Sequence, residues 1–326
     1  MKNKFITLWI IWTLLASLLV FAAVGSDSKD DLYKTTALIL SLAPLIGVML
    51  TLGSVKAFDQ FKYWLSENKN SQYYIAGGLS FLFAIPGILT GNFDPYHTII
   101  FAFINLAVFG VLKQNKAKEF KLNWSDLAIW LLLWIPFDLR WYQGLQANID
   151  YTWWSIAISV TAIIGWYGYR NANIGYNLAP KLKDFGIAFL ALVMIMTVVI
   201  PPGIATEFLS FSIPESYDIP KLTAHFIGLF LTVALPEELF FRGILLKGLD
   251  KVFSKKWIPM LISSLAFGLM HWNNLNDVSM QITYISLATI AGLGYGWAYR
   301  KSGNNLFAAI LAHTLVDWVW KLFLAS

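Results

Sequence analysis

The chain has 326 residues, of which 57% are hydrophobic, 16% aromatic and only 13% charged. That is more apolar surface than a globular core of this length hides, so the composition excludes a water-soluble domain and makes the bilayer the solvent. The formal charge of +5 comes from lysines and arginines set between apolar runs, with no basic, aromatic-studded face for nucleic acid, and the lack of cysteine excludes disulfides, thiolate metal sites and cysteine nucleophiles.

In chain order, eleven apolar runs approach the length needed to cross about 30 Å of hydrocarbon: residues 5–24, 35–55, 73–91, 97–112, 126–141, 153–169, 185–205, 223–247, 257–273, 278–299 and 306–323. The first follows a charged start (MKNK) and ends in small residues, Ala22 to Gly25, that would suit a signal peptidase. Its length fits a span better than a secretory core, so it is read as a retained first helix. The expected fold is therefore all-α, a polytopic helical bundle of about eleven spans.

Charge alternates between the loops. Lys2 and Lys4, Lys56, Lys62 and Lys69, Lys113 to Lys121, Arg170, Lys181 and Lys183, Lys247 to Lys256, and Arg300 with Lys301 mark one side, while the loops SDSKDD, GNFDPY, ANIDYT, FSIPESYDIP and NNLND mark the other. Basic loops stay in the cytoplasm, which predicts a multi-pass protein of the cell membrane with its N-terminus inside and its C-terminus outside. No repeat or low-complexity tract is visible. Asp138 and Arg140 in WIPFDLRW, two residues apart, cannot pair on a helix and either snorkel at the outer interface or line a substrate entry route.

Ionisable groups inside spans cost several kcal/mol unless paired or solvated, and each marks a candidate site. The last hundred residues hold three groups: Glu237, Glu238 and Arg242 in LPEELFFRG, His271 in FGLMH, and His313 with Asp317 in HTLVD. Glu238 and Arg242 are four apart and can pair, as can His313 and Asp317, whereas Glu237 points about 100° from Glu238 and is left free. Pro236 lacks the N–H that would bond to Thr232, so the helix should bend or open there and admit water. Glu237 and His271 lie at similar distances from the turn near Ser254, which puts them at a common depth. Taken singly, an interfacial ion pair, a headgroup anchor or a packing hydrogen bond explains each group. Taken together, at matched depth, they describe a polar chamber.

The ordered set E-E-x3-R, F-x3-H and H-x3-D, with AGLGYGWAYRKSGNN between the last two, resembles the CAAX prenyl protease and bacteriocin-processing (CPBP, or Abi) family of intramembrane endopeptidases. The resemblance divides the chain into 1–222, helices without a recognisable motif, and 223–326, a catalytic core. It implies that Glu237 and His271 activate a water, that Glu238 and Arg242 support them, and that His313 and Asp317 stabilise the oxyanion. A carboxylate desolvated in such a chamber binds its proton more tightly and is a better base near neutrality. Many relatives carry asparagine where this chain has Asp317, and an ionised aspartate cannot donate to an oxyanion. Either Asp317 is protonated or it acts by orienting His313. The family has been described both with and without metal. Glu237, His271 and His313 could offer one carboxylate and two imidazoles to Zn2+, but HExxH is absent and the spacing favours no cofactor.

The implied substrate is a membrane-associated peptide or protein, and the family's name is not carried over as a specificity. The rival is a non-catalytic membrane partner, of sensor-kinase or bacteriocin-immunity type, that uses the same polar cluster for binding. A proton-coupled transporter lacks support because the N-terminal half has no matching intramembrane charges or inverted repeat. Oligomeric state cannot be read from the sequence.

Overall fold

The computed structural model describes residues 3–24, 29–116, 119–139, 151–213, 216 and 218–325. Within them the chain is a multi-pass bundle of helices, as the hydropathy predicts. Each of the eleven apolar runs is helical over most of its described residues: α1 (Lys4–Val24), α2 (Lys29–Leu52), α4 (Ser71–Thr90), α5 (Pro95–Gln114), α6 (Trp124–Asp138), α7 (151–169), α8 (Leu182–Ala205), α9 (219–249), α10 (Trp257–Leu269), α11 (Val278–Lys301) and α12 (Leu306–Phe323). An additional short helix, α3 (Val55–Glu67), lies between the second and third runs. Six helices among the described residues, α1, α2, α4, α5, α8 and α12, are both long and apolar enough to cross a membrane. The 13 residues of α10 advance only about 20 Å. Ser210–Phe211 and Leu324–Ala325 form one short antiparallel pairing.

Two compact units divide the chain: 1–119 with 123–173, and 120–122 with 174–326. In the first, α1 packs on α2, α2 on α4 and α7, and α4 on α5. Its core is aromatic, with Phe83, Phe101, Trp153 and Trp154 in mutual ring contact. Asn105 accepts a hydrogen bond from the Thr161 hydroxyl at 2.8 Å, which pairs two polar groups between α5 and α7. Asp126 is fully buried at the start of α6, where it takes 3.1 and 3.3 Å bonds from Arg170 and a 3.2 Å bond from the Trp166 indole. Leu14 and Leu18 on α1, 61% and 67% exposed, present apolar side chains as a lipid-facing helix does. Asp138 closes α6, and Arg140 lies outside the described residues.

In the second unit, α8 packs on α11 and α12, and α10 lies between α11 and the C-terminal half of α9. The N-terminal ends of α8 and α12 are joined where the Asn305 amide donates to Asp184 at 3.2 Å. Asn305 also caps α12 by accepting from the Phe307 N–H. The turn before it uses two left-handed residues, Gly303 at φ 86° and Asn304 at φ 62°, residue types that tolerate that conformation.

Candidate active site

The site is built in the second unit around α9. That helix starts with Asp218 accepting the Lys221 N–H, continues as an α-helix over Ile219–Leu229, and widens over Phe230–Ala234 and again over Leu239–Leu246. In the first wide turn the Leu235 N–H donates to the Phe230 carbonyl, five residues back. Pro236 follows directly, so the missing N–H is met by a widened turn rather than a break. Between the two wide turns, Leu235–Glu238 forms a single α turn that carries both glutamates. The hydroxyl of Ser263 on α10 donates to the Phe241 carbonyl at 2.7 Å, which satisfies an acceptor in the second wide turn.

Glu238 and Arg242 are each 0% exposed. The Arg242 guanidinium donates to Glu238 Oε1 at 2.7 Å and to the Gly292 carbonyl at 2.8 Å. It lies over the Phe267 ring at 4.5 Å and near Tyr295 at 5.3 Å. A Cβ at Gly292 would come to 3.0 Å from that guanidinium, so a larger residue there would press on Arg242 where it lies against α11.

His313 on α12 links the carboxylates. Its Nδ1 is 3.0 Å from Glu238 Oε1, and its Nε2 is 3.4 Å from Asp317 Oδ2 and 3.7 Å from Glu237 Oε2. Each ring nitrogen that carries a proton therefore has a carboxylate facing it. Tyr295 stacks flat on the imidazole, with ring centres 4.4 Å apart. Glu237 is the least committed member. Its Oε2 is buried without a hydrogen-bond partner, since 3.7 Å is too long for one.

His271 follows the C-terminal end of α10, and its own N–H donates to the Gly268 carbonyl. Its Nδ1 is 2.9 Å from the Phe267 carbonyl. A carbonyl only accepts, so Nδ1 carries the proton and Nε2 of the neutral ring is an acceptor. His271 meets the other groups through aromatic rings: Phe267 at 5.0 Å, itself 5.5 Å from His313, and Tyr284 at 4.8 Å. The structure thus brings Glu237, Glu238, Arg242, His313 and Asp317 into one polar network, while His271 stands beside it across Phe267 and Tyr284. Sequence reasoning missed Tyr284 and Tyr295. The available signal was their spacing of eleven residues, about three turns, on the helix that carries the glycines.

Among the described residues no three His, Asp or Glu side chains converge to hold a metal ion. Glu237, His271 and His313 accordingly do not converge as a three-ligand zinc site here, since His271 lies across the Phe267 ring from His313.

Comparison with known proteins agrees with the motif order. The chain is 30% identical over 96 residues to the uncharacterized protein YpbD of Bacillus subtilis (strain 168), a match that covers 29% of this chain and 43% of that one. The chain therefore spans under half the length of that curated relative. No solved structure matches. A family model described as type II CAAX prenyl endopeptidase Rce1-like matches residues 219–319, from the start of α9 into α12. That stretch is similar to an Rce1-like domain, in agreement with the CPBP resemblance of its motifs, within a chain whose long apolar helices suit a multi-pass membrane protein.

Proposed function

We propose that the protein is an intramembrane endopeptidase that hydrolyses a peptide bond in a membrane-associated peptide or protein, using a water activated by Glu237 and His271 without a metal. The observation that carries this reading is Glu237 Oε2, buried without a hydrogen-bond partner, on a carboxylate that holds no arginine, whereas Glu238 holds Arg242 and His313 through Oε1 with only its Oε2 unpaired, and Asp317 faces His313. A buried polar atom is costly unless something polar meets it, and a water fits that need. Such a water donates one hydrogen bond to Glu237 and the other to His271 Nε2, which leaves a lone pair for the substrate.

In the reaction the water oxygen bonds to the carbonyl carbon while Glu237 takes a water proton. The tetrahedral intermediate then collapses as that proton passes to the leaving nitrogen, the C–N bond breaks, and a carboxyl and an amine terminus result. Glu238 and Arg242 fix the glutamate-bearing turn. Asp317 orients His313, and His313 bridges the carboxylates. By the loop charges the protein sits in the cell membrane with its N-terminus in the cytoplasm and its C-terminus outside.

The test compares new peptide termini in membranes holding equal amounts of wild type or His271→Ala, with and without a chelator. Wild-type termini should persist in chelator and disappear in His271→Ala. Termini unchanged by His271→Ala contradict the reading, and chelator-sensitive cleavage with one zinc per purified chain contradicts its metal-free form.

A further inference from the structure

Hydrolysis by this route puts negative charge on the carbonyl oxygen, and a preorganised donor must face it. The motif residues have few donors to spare. Arg242 spends one nitrogen on Glu238 and another on the Gly292 carbonyl, and its unpartnered Nε is sealed with the rest of the side chain beneath Phe267 and Tyr295. His313 faces carboxylates at both nitrogens, and His271 directs its one N–H to the Phe267 carbonyl. Glu237, Glu238 and Asp317, when ionised, only accept.

Hydroxyls close by are that of Ser264, buried on α10 beside Gly292, and those of Tyr284 and Tyr295 on α11, the two whose rings contact the histidines. Tyr295 is 1% exposed and lies flat on His313, out of a substrate's reach. Tyr284 is half-buried, its ring is 4.8 Å from His271, and it lies within electrostatic range of Glu237 and Asp317. The Asn274 side chain lies beside its hydroxyl, while Phe208 and Trp320 hold the ring at 5.4 and 6.0 Å. A phenol keeps its proton at neutral pH and can donate it.

We propose that Tyr284 is a further catalytic residue, whose hydroxyl donates to the developing oxyanion in the place where Asp317 cannot. This inference rests on the hydrolase reading. It explains how a chain with aspartate at position 317 keeps a donor near the reacting carbonyl, and it gives the aromatic support of Tyr284 a purpose beyond packing.

The experiment uses purified full-length protein in lipid vesicles and a synthetic peptide that copies the first wild-type-dependent cut found in membranes. Wild type, Tyr284→Phe and Glu237→Gln are compared for kcat and KM, with unfolding midpoints measured in parallel. Tyr284→Phe keeps the ring and loses only the hydroxyl. Its kcat should fall about 100-fold, the scale of losing one oxyanion donor, with KM within about twofold and the midpoint unchanged. An inactive Glu237→Gln beside a fully active Tyr284→Phe overturns the role of Tyr284 alone. Glu237→Gln as fast as wild type, or no wild-type-dependent cut at all, overturns the hydrolase reading and the Tyr284 role with it.

Discussion

At the scale of residues, the centre of the site is an arginine that cannot be spared. Arg242 has no solvent to fall back on, and its charge is met by Glu238, the Gly292 carbonyl and the faces of Phe267 and Tyr295. A buried ion pair adds little net stability over an apolar replacement, but removing one partner strands the other charge at a cost of about 3 to 5 kcal/mol. Arg242→Ala should therefore lower the unfolding midpoint markedly in detergent, and a double Arg242→Met, Glu238→Leu variant should recover much of it. Equal midpoints for wild type and Arg242→Ala would contradict this picture of the pair. The four-residue spacings of Glu238 with Arg242 and of His313 with Asp317 were readable as shared helix faces. The contact of His313 with Glu238 was not, because it depends on how α9 and α12 pack rather than on any spacing along one helix. Tyr284 and Tyr295 were hidden for a different reason: an aromatic side chain in an apolar run looks like core until its neighbours are known.

At the scale of elements, close helix approach places the motifs. A Cβ on Gly268 would lie 2.6 Å from the Ile285 carbonyl and would overlap the Thr289 hydroxyl, so α10 and α11 touch there backbone to backbone. Gly268→Ala should cost about 1 to 3 kcal/mol by forcing the pair apart, and it should displace His271 three residues on. Gly186 on α8 has nothing within 4 Å of its would-be Cβ, so Gly186→Ala should be neutral or raise stability by up to about 1 kcal/mol. A thermal shift assay showing equal effects from the two alanines would contradict the packing. The sequence foretold a disturbance at Pro236, and the structure resolves it into wide turns on either side of the glutamates. It did not foretell α3, whose 13 residues are too short and too mixed in polarity to register as a span. Nor did the apolar run through 257–273 reveal that α10 ends at Leu269, before His271, since apolar character continues past the point where the backbone turns.

At the scale of the whole molecule, the polar groups divide by unit. The first unit, without a recognisable motif, buries the Asp126 and Arg170 ion pair between α6 and the end of α7. The second gathers the motif residues and leaves one buried oxygen on each of Glu237 and Glu238 without a partner. This division was only half legible beforehand: the motifs marked the second unit, while Arg170 read as a loop charge and Asp126, at the start of an apolar run, drew no reading. The account stands or falls on whether the free carboxylate does chemistry. The measurement is quantitative peptidomics of membranes from cells expressing wild type or Glu237→Gln at equal levels, since glutamine keeps the shape and removes the base. Peptide termini present with wild type and absent with Glu237→Gln are the predicted result. Identical peptide sets, with both proteins folded and abundant, would contradict proteolysis and favour a non-catalytic binding partner.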